Sequence, residues 1–273
     1  MGAIDEIHLY EERTAPTLDM NEVAAYLRAR AAGSSVSRHG PFMLEYSSAE
    51  QRADLGELIA RLKVQDVDAF PREYEPVHAE IEFERRRLTN EDRGPFGILY
   101  DGFGFQRLLR RLLPPAELRL DCVHVVFTNR TIGTWDEDDK RYHLRAIILG
   151  IPAIISTTGL VEAPAKPREF YLARQQMGLA ARSQLTHALL KERFKGQFLD
   201  HDDARLTEVA KGYAMQAVMY QITGEAFCSD PDCRLFNAHW QAELIRAQLE
   251  GPGEYCARHE KLLATMRRQG RGA

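Results

Sequence analysis

The chain has 273 residues, a formal net charge of −4, 44% hydrophobic and 28% charged residues. This balance excludes a disordered chain, a collagen-like repeat and a strongly basic nucleic-acid binder. The length is enough for one large domain or two small ones with a sizeable core.

Residues 4–10 (IDEIHLY) alternate between apolar and polar and predict a first strand. A helix is expected over 17–32, with Leu18, Val23 and Leu27 on one face. A stronger one is expected over 47–63, where Ser48 can cap and Leu55, Leu58, Ile59 and Leu62 recur at helical spacing. Residues 64–96 are charged and interrupted by Pro71, Pro76 and Pro95. They predict an irregular connection with a short strand near 78–83. Then come a short buried strand at 97–100, a glycine turn at Gly102 and Gly104, and a helix over 105–113 closed by Pro114 and Pro115. The β-branched run 118–128 predicts a central strand. GTWDEDDKRYH at 133–143 predicts a solvated acidic loop with Trp135 as a packed anchor; a hard-cation site is the alternative. Residues 146–156, broken by Gly150 and Pro152, predict two short strands or one bulged strand, and 157–167 a loop. Helices are expected at 168–179, 183–194, 203–223, 233–249 and 254–268. Strands thus dominate the first half and helices the second. The expectation is an α/β (α+β) fold with a helical C-terminal part. Residues 1–96 form an N-terminal α/β region and 97–273 a second one, or the two are continuous.

The N-terminus lacks a basic region followed by an apolar run. The longest apolar stretch, 146–156, is far short of the ~20 residues a spanning helix needs. A cytoplasmic protein with no membrane partner is expected. With the overall charge negative, no nucleic-acid partner is expected either.

Three of the four cysteines lie between 228 and 256. The pattern is Cys228, four residues, Cys233, 22 residues, Cys256, two residues, His259. Two short-spaced pairs of N and S donors are what a tetrahedral zinc ion requires. The first pair spans an Asp-Pro turn that bends its thiols together. A disulfide, or unrelated thiols with a surface His, are the other readings, and a cytosolic disulfide is disfavoured. Four protein ligands make such a site structural, so one Zn2+ is expected, bound by Cys228, Cys233, Cys256 and His259. His239 is a competing ligand.

A long helix followed directly by a Cys cluster resembles the archaemetzincins, zinc metallopeptidase relatives with a metzincin-type mixed sheet. Their signature is HExxHxxGxxHC, a second Cys after four residues, and a final CxxC. With the first Cys on Cys228, the second falls on Cys233 and the glycine on Gly224. The CxxC falls on Cys256 and His259, with His for the last Cys, and a family Met falls on Leu235. The zinc His positions fall on Ala217, Gln221 and Phe227, and the general-base Glu on Val218. Ala, Val and Phe neither bind zinc nor move a proton, and Gln is a poor ligand. The resemblance therefore implies the fold and a structural zinc in a metallopeptidase homologue without peptidase activity. Its remnant cleft would bind a peptide or small ligand. The alternative is a hydrolase with a site rebuilt around 156–166 and 203–223, with Glu162, Lys166 and Glu208 as its acid/base groups.

Overall fold

The computed structural model describes residues 4–12, 14–31, 33–89, 97–177 and 184–269. The expected ends Ala32, Leu179 and Ser183 and the segment 90–96 lie outside the described residues.

Strand β1 (Glu6–Glu11) leads into helix α1 (Met20–Arg30), whose first turn is capped by Asp19 accepting from the Asn21 and Glu22 N–H groups. Strand β2 (Ser35–His39), helix α2 (Phe42–Glu45) and helix α3 (Ala49–Ala60) follow. Ser48 and Gln51 close the start of α3 reciprocally. Helix α4 (His78–Thr89) packs on α3. Next come β3 (Leu99–Asp101), α5 (Gly102–Leu112), β4 (Cys122–Thr128), β5 (Thr131–Asp136), β6 (Arg141–Arg145), β7 (Ile147–Ile148) and β8 (Ala153–Ser156). Among the described residues the second half is then helical: α6 (Thr157–Glu162), α7 (Arg168–Gln176), α8 (Gln184–Arg193), α9 (Leu206–Thr223), α10 (Gln241–Ile245) and α11 (Ala257–Gln269).

The fold is mixed α/β, as expected. A five-stranded sheet has the order β2-β1-β4-β8-β7, parallel except for the end strand β7. A smaller sheet runs β3-β5-β6. Strands from before and after residue 97 share the large sheet. Ile7, Leu9, Val123, Val125 and Phe127 face one core with α1 and α9, while Tyr10, Val126 and Ile154 face a second with Phe42 and Phe105 of α5. Helix α9 is buried nearly all round, so it sits beneath the sheet as the central rod of the first core. Gly224 ends it at φ 75°, with its N–H returned to Tyr220 O, the left-handed stop expected there.

Three local expectations are corrected. The strand expected near 78–83 is α4, because its core-facing positions hold Glu84, Arg87 and Leu88 and only one of them is apolar. The loop expected at 157–167 begins with α6, capped by Ser156 Oγ accepting from Gly159 N–H at 2.8 Å. The helix expected over 233–249 is confined to α10 and a π-turn at Arg246–Glu250. The chain before it is pulled out of helix by the Cys228 N–H to Leu235 O bond and by bridging between Cys228 and Phe236. The acidic loop lies between strands as expected, as the turn of the β5–β6 hairpin: Asp136 Oδ1 accepts from the Asp138 and Asp139 N–H groups, and Trp135 packs edge-on against Phe70 and Tyr142.

Candidate functional site

Two features converge around α9. The first is the thiol cluster. The turn after α9 delivers Cys228, the Asp230–Cys233 turn returns Cys233, and the first turn of α11 presents Cys256 and His259 on one side. Their ligand atoms all lie within 4.8 Å of one another. Cys228 Sγ is 3.8 Å from Cys256 Sγ, and His259 Nδ1 is 3.1 Å from Cys256 Sγ and 3.6 Å from Cys233 Sγ. Thiolates bound at 2.3 Å in a tetrahedron stand about 3.8 Å apart, so the donor set and spacing fit a zinc ion. Cys233 and His259 are buried and Cys228 and Cys256 half-buried.

Without an ion, the thiols of Cys228 and Cys233 are held protonated. Burial pushes the Cys233 thiol up to about 12 and raises that of Cys228. It lowers the His259 pKa, which keeps the imidazole neutral. A divalent ion would displace the thiol protons and fold these groups around itself. The Asp230 N–H donates to Cys228 Sγ at 3.3 Å, an outer contact that would orient the thiolate. His239 is not part of this cluster.

The second feature is a cleft of about 470 Å³ between the end strand β7 and α9. Its walls carry Phe103, Ala146–Leu149, Phe227 and His239. The face of α9 turned to it carries Tyr213, Gln216 and Tyr220. Of the positions assigned to a catalytic motif, only Phe227 lines this cleft. Ala217 and Val218 are buried in the core, and Gln221 donates to Leu120 O instead. Gln216 and Tyr220, each one residue before a vacant motif position, face the cleft instead. Gln216 donates from Nε2 to Phe236 O at 3.3 Å, and its buried Oε1 has no partner.

The chain belongs to a probable metallopeptidase family. Its family model, the Probable metallopeptidase family (DUF6775), matches residues 3–266. The metallopeptidase-type relationship expected from the Cys/His pattern is thereby met. No curated protein matches the chain. Among solved structures, the chain is similar to an archaemetzincin from Methanopyrus kandleri, at 10% identity over 98% of this chain and 97% of that one, with a TM-score of 0.47. It is also similar to a zinc-dependent peptidase from Methanocorpusculum labreanum, at 15% identity over 94% and 99%, with a TM-score of 0.42.

The groups named for a rebuilt site stand apart from the cleft lining and are engaged in ion pairs. Glu162 meets Lys166 Nζ at 2.8 Å and His201 at 3.4 Å. Burial would raise its pKa, but the hydrogen bonds and charges of His201 and Lys166 prevail and hold it at about 2. Glu208 pairs with Lys211 at 2.7 Å and with Arg234. Carboxylates so paired are poor proton acceptors near neutral pH. Sequence reasoning missed Tyr213, Gln216 and Tyr220, whose cleft-facing role has no local signal.

Proposed function

We propose that this family member is a zinc-binding metallopeptidase homologue that binds an extended peptide or small ligand without hydrolysing it. Cys228, Cys233, Cys256 and His259 hold one structural zinc, which ties the chain after α9 to α11. The observation that carries the reading is the cleft lining: the face of α9 turned to it carries Tyr213, Gln216 and Tyr220, which offer neither an imidazole nor a carboxylate for a catalytic zinc and its base. Among the described residues, no three His, Cys, Asp or Glu side chains converge in that cleft.

The same lining suits binding. Strand β7 is the last of its sheet, and an extended segment can lie along such an edge. The half-exposed Phe103 and Phe227 supply apolar wall beside it. Among the described residues no helix is long and apolar enough to cross a membrane. The four free thiols fit a reducing compartment, and we place the protein in the cytoplasm with no nucleic-acid or membrane partner.

The test is a mixed library of quenched fluorescent peptides incubated with zinc-replete protein. No cleavage is expected. Cleavage that a zinc chelator abolishes would overturn the reading.

A further inference from the structure

A second group of ligating side chains lies on the other face of the large sheet. Ile7 and Leu9 of β1 face the core that holds α9, so the alternating residues Glu6, His8 and Tyr10 face away from it. In the parallel register with β4, Glu6 stands beside Cys122 and His8 beside His124. With β2, His8 stands beside Ser37 and Tyr10 beside His39. Three adjacent strands thus bring a thiol, three imidazoles and a carboxylate onto one patch, where the rest of that face is apolar core.

We propose that Glu6, His8 and Cys122 form a second metal site, for zinc or a similar borderline divalent ion, with one coordination position open to solvent. One oxygen, one nitrogen and one sulfur donor lie within 4.8 Å of one another. Carboxylate, imidazole and thiolate together select such ions over magnesium or calcium. His8 Nε2 is 3.1 Å from Glu6 Oε2, so that nitrogen and that oxygen can meet one ion. The site is walled on one side and open on the other. The Cys122 side chain is buried, that of His8 is 18% exposed and that of Glu6 is 43% exposed. Three protein ligands would leave a wet fourth position, unlike the closed Cys228 cluster.

The surrounding contacts are those a metal-bound imidazole needs. His8 Nδ1 is 2.9 Å from Ser37 Oγ and 3.0 Å from His39 Nε2, and His39 Nδ1 is 2.9 Å from Glu45 Oε1. This chain leaves His8 Nε2 as the free ligating nitrogen and ends on a carboxylate that supports its basicity. On the other side, His124 Nε2 stands 3.2 Å from Cys122 Sγ, and its Nδ1 is 3.0 Å from Tyr10 OH, which fixes the ring beside the thiol. Ser37, His39 and Glu45 also have the order of a hydrolytic triad. A cavity of about 760 Å³ passes His39 but not Ser37, so the geometry favours the orienting role over a nucleophile.

The test is zinc content by mass spectrometry after the full chain has been equilibrated with zinc and dialysed. Two zinc ions per chain are expected in the unmodified protein. One is expected in His8→Ala and in Cys122→Ser, each checked for folding by circular dichroism. Cys256→Ala reports separately on the first cluster, so failure there leaves this site's result readable. One zinc in the unmodified protein, lost in Cys256→Ala, overturns the proposal even if neither new variant folds. Two zinc ions that persist in folded His8→Ala and Cys122→Ser overturn it as well.

Discussion

Arg130 Nη1 donates to Glu84 Oε2 at 2.7 Å, and both side chains are buried. The bond joins α4 to the turn after β4, so a charged helix that resembles a surface element is anchored to the end of the central strand. Glu84 also accepts from Tyr100 OH at 2.6 Å and faces Lys63 at 3.4 Å. Arg87 extends the group, donating to Asn129 Oδ1 at 2.7 Å. Glu84→Gln removes the carboxylate and leaves Arg130 buried without its counter-charge. The expected loss is about 3–5 kcal/mol, read from urea unfolding. A loss within about 0.5 kcal/mol would show that this group carries little of the fold's stability.

Gly159 is required by a close approach of two backbones. A Cβ there would lie 2.3 Å from Arg145 O, and neither atom belongs to a side chain that can swing aside. Gly159→Ala is expected to cost about 1–3 kcal/mol through overpacking, although alanine is the better helix former. A rise in melting temperature for this variant would contradict the packing described between α6 and the end of β6.

The Glu162 pairs give a pH dependence with a definite sign. Its pKa falls from 4.5 to about 2 on folding, so the ionised form is favoured in the folded state. Its contribution is fully present above pH 4.5 and is lost as pH falls towards 2. The side chain is 41% exposed, so screening keeps the contribution small. The melting-temperature gap between the unmodified chain and Glu162→Gln is expected to narrow from pH 6 to pH 3. A gap that widens in acid would reverse the assignment.

Zinc removal tests the cluster's structural role. An ion at 1,000 times its dissociation constant stabilises the bound state by about 4 kcal/mol. At roughly 2–4 °C per kcal/mol for a chain near this size, a chelator should lower the melting temperature by about 8–16 °C. Cys256→Ala should show the lower temperature with or without chelator. Equal temperatures with and without chelator in the unmodified protein would contradict a structural ion.

The parts of the fold legible in the sequence are those whose burial is one-sided or total. Strand β1 alternates, β4 is buried throughout, and α9 ends on a glycine with positive φ. Strand β2 escaped because Ser35, Ser37 and His39 make an edge strand look like a turn. Helix α4 escaped because Glu84 and Arg87 occupy core positions through pairing and hydrogen bonds. The thiol pattern marked four residues that do converge. The orientation of α9 was illegible for a different reason: a helix buried on nearly every side has no polar face, and the motif spacing counted back from Cys228 falls on Ala217 and Gln221, whereas Gln216 and Tyr220 meet the cleft.

The most direct measurement is an anomalous-scattering map at the zinc edge from crystals grown with zinc. The account predicts a strong peak bounded by Cys228, Cys233, Cys256 and His259, and no peak between Gln216 and Tyr220. Zinc in the cleft beside those two residues would contradict it and restore a catalytic ion to this fold.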